Sequence, residues 1–230
     1  MTTELLQKSR KYLDEATLSY GKMMLEEEIG PVRQLSGNII HHLTNTVCFL
    51  NHNYFKLGVK HQLEEMLVMK HVPKLFEQCF NDAMYANSVP NIKETTIKLI
   101  KTVKEMYDEI AEEVLGKILP TKDNLKGTYE EIWSNWKNKI QYAAEHKDIL
   151  LAFSSGVSCQ NFYDEMHRER GTVSINLMKH FQPNNLDSFA IAFDEAMQLY
   201  KEEYDKLQMQ VLTYDYIDAF RKDYFEPKNV

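Results

Sequence analysis

His41, Asn45, Cys48 and His52 recur at helical spacing within a stretch, 34–55 (QLSGNIIHHLTNTVCFLNHNYF), that holds no Asp, Glu, Lys or Arg, although those four types make up 27% of the chain. Imidazole and thiol are the side chains best suited to metal ligation, proton transfer and nucleophilic attack. His41 and His52, however, stand roughly 16 Å apart along a helix rising about 1.5 Å per residue, so one ion cannot bridge them. Cys48 and His52, four apart, supply two ligands, and nothing nearby completes a set. A di-iron bundle needs Glu-x-x-His on two helices; the chain offers only Asp164-x-x-His167. No metal site is therefore expected. Spacing alone reveals no Ser-His-Asp or Cys-His arrangement, and neither GxGxxG nor GxxxxGK[ST] occurs. No catalytic residue is assigned. The commoner fate of such a stripe is a buried helix whose polar atoms bond to neighbouring helices; a ligand pocket is the sharper alternative.

The element carrying this stripe is itself amphipathic. Leu35, Ile39, Leu43, Val47, Leu50 and Tyr54 fall four, four, four, three and four apart, one face of an α-helix. A surface helix normally places Lys and Glu opposite its apolar face, so helix 2 is expected to be enclosed on most sides and to stop near Gly58. Before it, helix 1 is predicted from Thr3 to Glu28, with Leu5, Ser9, Tyr12, Leu13, Ala16, Tyr20, Met23 and Met24 inward and Gly30-Pro31 as its stop. The acidic run 26–28 lies at a helix C-terminus, where the dipole disfavours it, so a basic partner or the next helix start is expected there.

A short helix is predicted over 60–69 and another from Pro73 to Tyr85. Asn91 with Glu94 reads as a capping box opening a long helix to Ile118. The stretch 119–127 (LPTKDNLKG) reads as a linker. Thr128 with Glu131 reads as a second capping box, starting a helix to Lys147. A second uncharged stretch, 149–162, carries Ser154, Ser155, Gly156 and Ser158, small enough for close approach to Ser36-Gly37. Segment 171–185 is ambiguous between a short helix and a turn. A final helix is predicted from Leu186 through Val211, with a break near Thr213–Tyr214, to Phe225. The expected fold is an all-α bundle of about eight helices around helix 2. Residues 1–119 would form one bundle, with 120–230 packed on it in one continuous domain.

Composition narrows the function classes. With 8 Gly and 6 Pro in 230 residues, turn signals are sparse, which favours helix. A net charge of −7 gives no overall footprint for a nucleic-acid backbone, and no nucleic-acid partner is expected. Cys48, Cys79 and Cys159 are too few and too scattered for a disulfide framework and read as reduced thiols of a cytoplasmic protein. No signal peptide or membrane span is evident. Most of the 13 Tyr and 11 Phe fall on helical stripes and read as core; Trp133 and Trp136 with Lys137 and Lys139 could hold an anionic aromatic ligand, although a packed helix face is the commoner outcome.

The segment 50–65 (LNHNYFKLGVKHQLEE), preceded by polar helix 2 and followed by KHVPKLFEQCF, resembles the helical C-terminal domain of kanamycin-nucleotidyltransferase-like enzymes. There a helix ending in an Asn-x-x-Tyr-type segment leads into a Lys-rich turn and a Glu-bearing helix. The resemblance covers about the first 120 residues and extends to the related HEPN class of helical nucleotide-binding bundles. It implies a substrate-binding domain that packs on a catalytic domain. The family's catalytic Gly-Ser followed by paired aspartates is missing, as is the Arg-x4–6-His signature of HEPN ribonucleases, since seven residues separate Arg33 from His41. The resemblance thus implies the helical half alone, and it adds Asn51, Tyr54, Lys60 and Glu64 to the pocket candidates.

The expectation is a non-catalytic helical binding module whose pocket draws on His41, Asn45, Cys48, Asn51, His52, Tyr54, Lys60 and Glu64. Its occupant would be a small or nucleotide-like ligand, or a nucleotidyltransferase partner would dock there. Two alternatives stand beside it: an α-helical enzyme using the His/Asn/Cys stripe, and a structural protein that forms a homodimer through an exposed helix. No cofactor is identified.

Overall fold

Leucine, methionine, lysine and glutamate all favour helix, and apolar residues recur every three to four positions along most of this chain. The computed structural model describes residues 2–211 and 216–225 and contains no strand among them; eight of its helices have at least 7 residues. The fold is all-α. The chain forms two compact units, Met1–Lys117 and Ile118–Val230, each with its own apolar core.

In the first unit, α1 (Thr3–Met24) and α2 (Ile29–Leu50) lie side by side, α5 (Val89–Leu115) packs against both, and α4 (Phe76–Tyr85) packs on α5 and α2. The inward stripe of α1 is Leu6, Ser9, Leu13, Ala16, Ser19 and Met23, close to the predicted face. The helix stops four residues earlier than predicted, at Met24. Gly30 and Pro31 do not end it; they sit in the first turn of α2, where a proline needs no N–H partner. The basic partner expected near the acidic run is Lys93, whose Nζ donates to the carbonyls of Met24 at 3.2 Å and Glu26 at 2.8 Å.

The second half of α2 is enclosed: Leu43, Thr44, Thr46, Val47, Cys48 and Leu50 are all buried, while Gln34, Gly37, Asn38 and His41 leave an open edge. Fully buried leucines of this kind each contribute about 1.5–3 kcal/mol. The helix ends at Leu50 rather than near Gly58. Asn51 stops it by turning its side chain onto backbone groups, and His52 then adopts a left-handed φ of 50°. A 3-10 turn (Val59–His61) and α3 (Gln62–Leu67) follow. The α5 helix opens at Val89 with Pro90 in its first turn, so Asn91 is inside the helix and the expected capping box does not form; Glu94 pairs with Lys98 instead.

In the second unit the predicted linker is partly folded. Thr121 and Asn124 form a capping box around α6 (Lys122–Leu125), and Leu125 is fully buried. Thr128 does not cap the next helix. Its hydroxyl donates to the Leu125 carbonyl at 2.7 Å and accepts from Tyr200 at 3.0 Å. The helix runs as α7 (Thr128–Ile132), a π-helical turn (Trp133–Lys137) and α8 (Asn138–His146). Trp136 is buried in the core, whereas Lys137 Nζ lies 3.6 Å from the centroid of exposed Trp133.

Helix α9 (Ile149–Arg170) packs on α8; Gly156 lies so close to Phe189 and Met178 that a Cβ there would stand 2.7 and 2.8 Å from them. Ser36, in the first unit, bonds to Thr96 at 3.1 Å. Segment 172–177 is irregular rather than helical and is pinned by Gln160, which donates to the Ile175 carbonyl at 2.7 Å and accepts from Leu177 N at 2.6 Å. Helix α10 (Leu186–Lys206) ends before Leu207 and Val211, and α11 (Ile217–Phe225) follows; the predicted break at Thr213–Tyr214 falls outside the described residues.

Candidate functional site

Six of the eight candidate residues lie at or beyond the C-terminal end of α2, with His41 and Asn45 farther back along it, and the structure divides them by what their side chains do. Cys48 is 4% exposed. Burial first, and the negative charge of Glu65 second, push its thiol up to about 11, so it stays protonated at neutral pH and is a poor nucleophile or ligand. Asn51 is a clamp. Its Nδ2 donates to the carbonyls of Val47 at 2.8 Å and His71 at 2.7 Å, and its Oδ1 accepts from His71 N at 2.7 Å. These bonds tie the chain beyond α3 back onto the end of α2.

His41 and Asn45 occupy the open edge of α2. The Asn45 amide donates to the His41 carbonyl at 2.8 Å and lies 3.2 Å from His41 Nε2. Beside them, His42 faces Tyr12 on α1. Burial and then His41 pull its pKa below the ordinary value, with Glu15 opposing, so the ring favours the neutral form. Gln62, on α3, donates to Thr44 Oγ1 at 3.2 Å and fixes α3 against this edge.

The remaining candidates lie on the loop after α2. His52, Tyr54 and Lys60 are exposed on it, and Glu64, exposed at the start of α3, has its Oε2 2.8 Å from His61 Nδ1. Glu65 organises the loop: its two carboxylate oxygens accept from Lys56 N and Leu57 N, each at 2.8 Å. Those two backbone N–H groups hold its carboxyl below the usual carboxylate range. With Asn51 at one end and Glu65 gripping the middle, the tip presents Tyr54 at 69% exposure, Leu57 at 64% and Val59 at 87%. Lys56 Nζ lies 5.5 Å from the Tyr54 ring centroid, within cation–π range.

Segment 52–61 therefore offers an aromatic face and two lysines, with the carboxylates of Glu64 and Glu65 from α3 held against it. That combination can stack a planar ring and neutralise an anion. Cys48 and Asn51 support it from beneath rather than line it, whereas His41 and Asn45 lie farther back along α2. Reading stripes in the sequence missed Lys56, Gln62 and Glu65. The acid-free run around Tyr54 was the signal for Lys56; Glu65 carried none, since its bonds depend on how the loop closes. No group of three or more His, Cys, Asp or Glu among the described residues could hold a metal ion. No helix among the described residues is long and apolar enough to cross a membrane.

No protein-family model, curated protein or solved structure matches the chain.

Proposed function

We propose that this chain is a non-catalytic helical binding module, similar to the substrate-binding domain of nucleotidyltransferase-like proteins, and that segment 52–61 binds a nucleotide-like ligand. The observation that carries this reading is the loop anchored by Glu65, which presents Tyr54 beside Lys56 and carries Lys60 exposed farther along the same segment. Tyr54 would stack on a base, and the two ammonium groups would meet phosphate oxygens. Asn51 and Glu65 hold the loop in place before the ligand arrives, which lowers the ordering cost of binding. The protonated, buried Cys48 speaks against the stripe acting as an enzyme's nucleophilic centre.

Exposed Leu57 and Val59 favour a second reading, in which the same loop docks a catalytic partner protein. Isothermal titration with ATP separates the two. The ligand reading expects saturable binding that Tyr54→Ala weakens about tenfold and that the double change Lys56→Ala with Lys60→Ala weakens further and makes less salt-dependent. ATP binding that survives all three changes would overturn it. An absence of nucleotide binding, with a partner retained by the wild type and lost on Leu57→Asp, would instead support docking.

A further inference from the structure

The last turns of α1 carry a face that its own unit leaves open. Leu18 is 56% exposed and Leu25 85%, and Thr17 and Gly21 are exposed between them. Asp14, Leu18, Gly21 and Leu25 follow at four, three and four residues, so they share one side of the helix. Leu13, Ala16 and Met23 face the core from the other side. A Cβ on Gly21 would meet nothing within 4 Å. The result is a shallow, open notch between two leucines on one helix face, flanked by Asp14, Thr17 and Lys22.

The charges beside this notch are self-complementary. Asp14 lies toward one end, holding Arg10 Nε at 2.8 Å through Oδ1. Lys22 lies toward the other and has no ion-pair partner among the described residues. We propose that the notch receives α1 of a second copy of this chain, antiparallel, about a two-fold axis passing between Leu18 and Gly21. Each Leu18 then sits over the bare Gly21 of the other copy, and each Asp14 comes beside the other copy's Lys22. At about 1.5 Å rise per residue, those two positions differ by about 4.5 Å along the axis, which a lysine side chain spans. A parallel pair would instead set Asp14 against Asp14 and Lys22 against Lys22. An isologous contact of this kind closes at two copies. It covers about three turns of one helix, at the small end of specific interfaces, and so describes a reversible dimer.

Sedimentation velocity of the whole chain over a wide concentration range tests this. The wild type is expected to shift from monomer to dimer, and Leu18→Glu with Leu25→Glu to remain monomeric at every concentration; both positions are exposed, so circular dichroism should show an unchanged fold. Asp14→Lys should weaken association at least tenfold, and Asp14→Lys combined with Lys22→Asp should restore it. Tyr54→Ala should leave association unchanged, which separates this surface from the ligand loop. A wild type that is monomeric throughout, a dimer that persists in the double glutamate variant, or a charge reversal that restores nothing would each overturn the proposal.

Discussion

Cys48, the residue of α2 most suggestive of chemistry, is silenced by its surroundings, and this is measurable. With its thiol at about 11 and that of Cys159 at about 12, both raised chiefly by burial, on the order of one Cys48 in ten thousand is a thiolate at pH 7. Cys79 is raised as well but is only half-buried. Labelling the native protein with a disulfide reagent at pH 8 should therefore modify Cys79 first, and Cys48 and Cys159 only on unfolding; rapid reaction at Cys48 would contradict its placement. The sign of the pH dependence follows. A raised thiol pKa contributes stability that is fully present below the ordinary value of 9.0 and is lost as pH rises toward 11. Asn51 gives a second test at this scale. Asn51→Ala removes three hydrogen bonds and strands the His71 N–H and carbonyl, while the Val47 carbonyl keeps its bond from Asn51 N, so urea denaturation should show a loss of about 1–3 kcal/mol. The sequence made Cys48 and Asn51 visible as polar residues on a helical stripe. It could not show that one would be buried and the other spent on the backbone of His71, twenty residues away, because that depends on where the chain returns.

Among the elements, the anchored loop and the tight glycines distinguish what was legible from what was not. Helices α1, α2, α5 and α10 follow their apolar periodicity, since burying a continuous stripe outweighs local preference. Their ends were less legible. Pro90 set the start of α5 ahead of the apparent Asn91 cap, and Asn51 ended α2 seven residues before the glycine that looked like a stop. The loop that follows depends on Glu65. Glu65→Ala should leave the helical content unchanged but free the Lys56 and Leu57 N–H groups, weakening ATP binding several-fold by calorimetry; unchanged binding would mean that the carboxylate does not preorganise the loop. The glycines grade by what stands in the way. A Cβ at Gly156 would crowd the end of the Phe189 ring and the Met178 sulfur, which can shift, at about 1–3 kcal/mol. At Gly171, with φ of 71°, it would fall 2.0 Å from the Ile118 carbonyl oxygen, a backbone atom. Gly171→Ala should thus lower the melting temperature more than Gly156→Ala; the reverse order would contradict this packing.

For the molecule as a whole, each unit buries its own set of apolar side chains, from Leu6 to Ile110 in the first and from Leu125 to Tyr204 in the second. Residues 1–117 alone should fold as a helical domain with a cooperative thermal transition; a non-cooperative transition would show that this core does not suffice. Bundle class was readable from periodicity and from sparse glycine and proline, because these are local. The candidate site was readable only as a neighbourhood: much of the α2 stripe is buried or spent on the backbone, and the side chains that face solvent beyond the helix end lie on the following loop. Titration of the isotopically labelled chain with ATP, followed by amide NMR, tests the central claim most directly. The account predicts saturable shifts concentrated at residues 52–61, with α10 and the Leu18–Leu25 face of α1 unmoved. Shifts centred elsewhere, or none at saturating nucleotide, would contradict it.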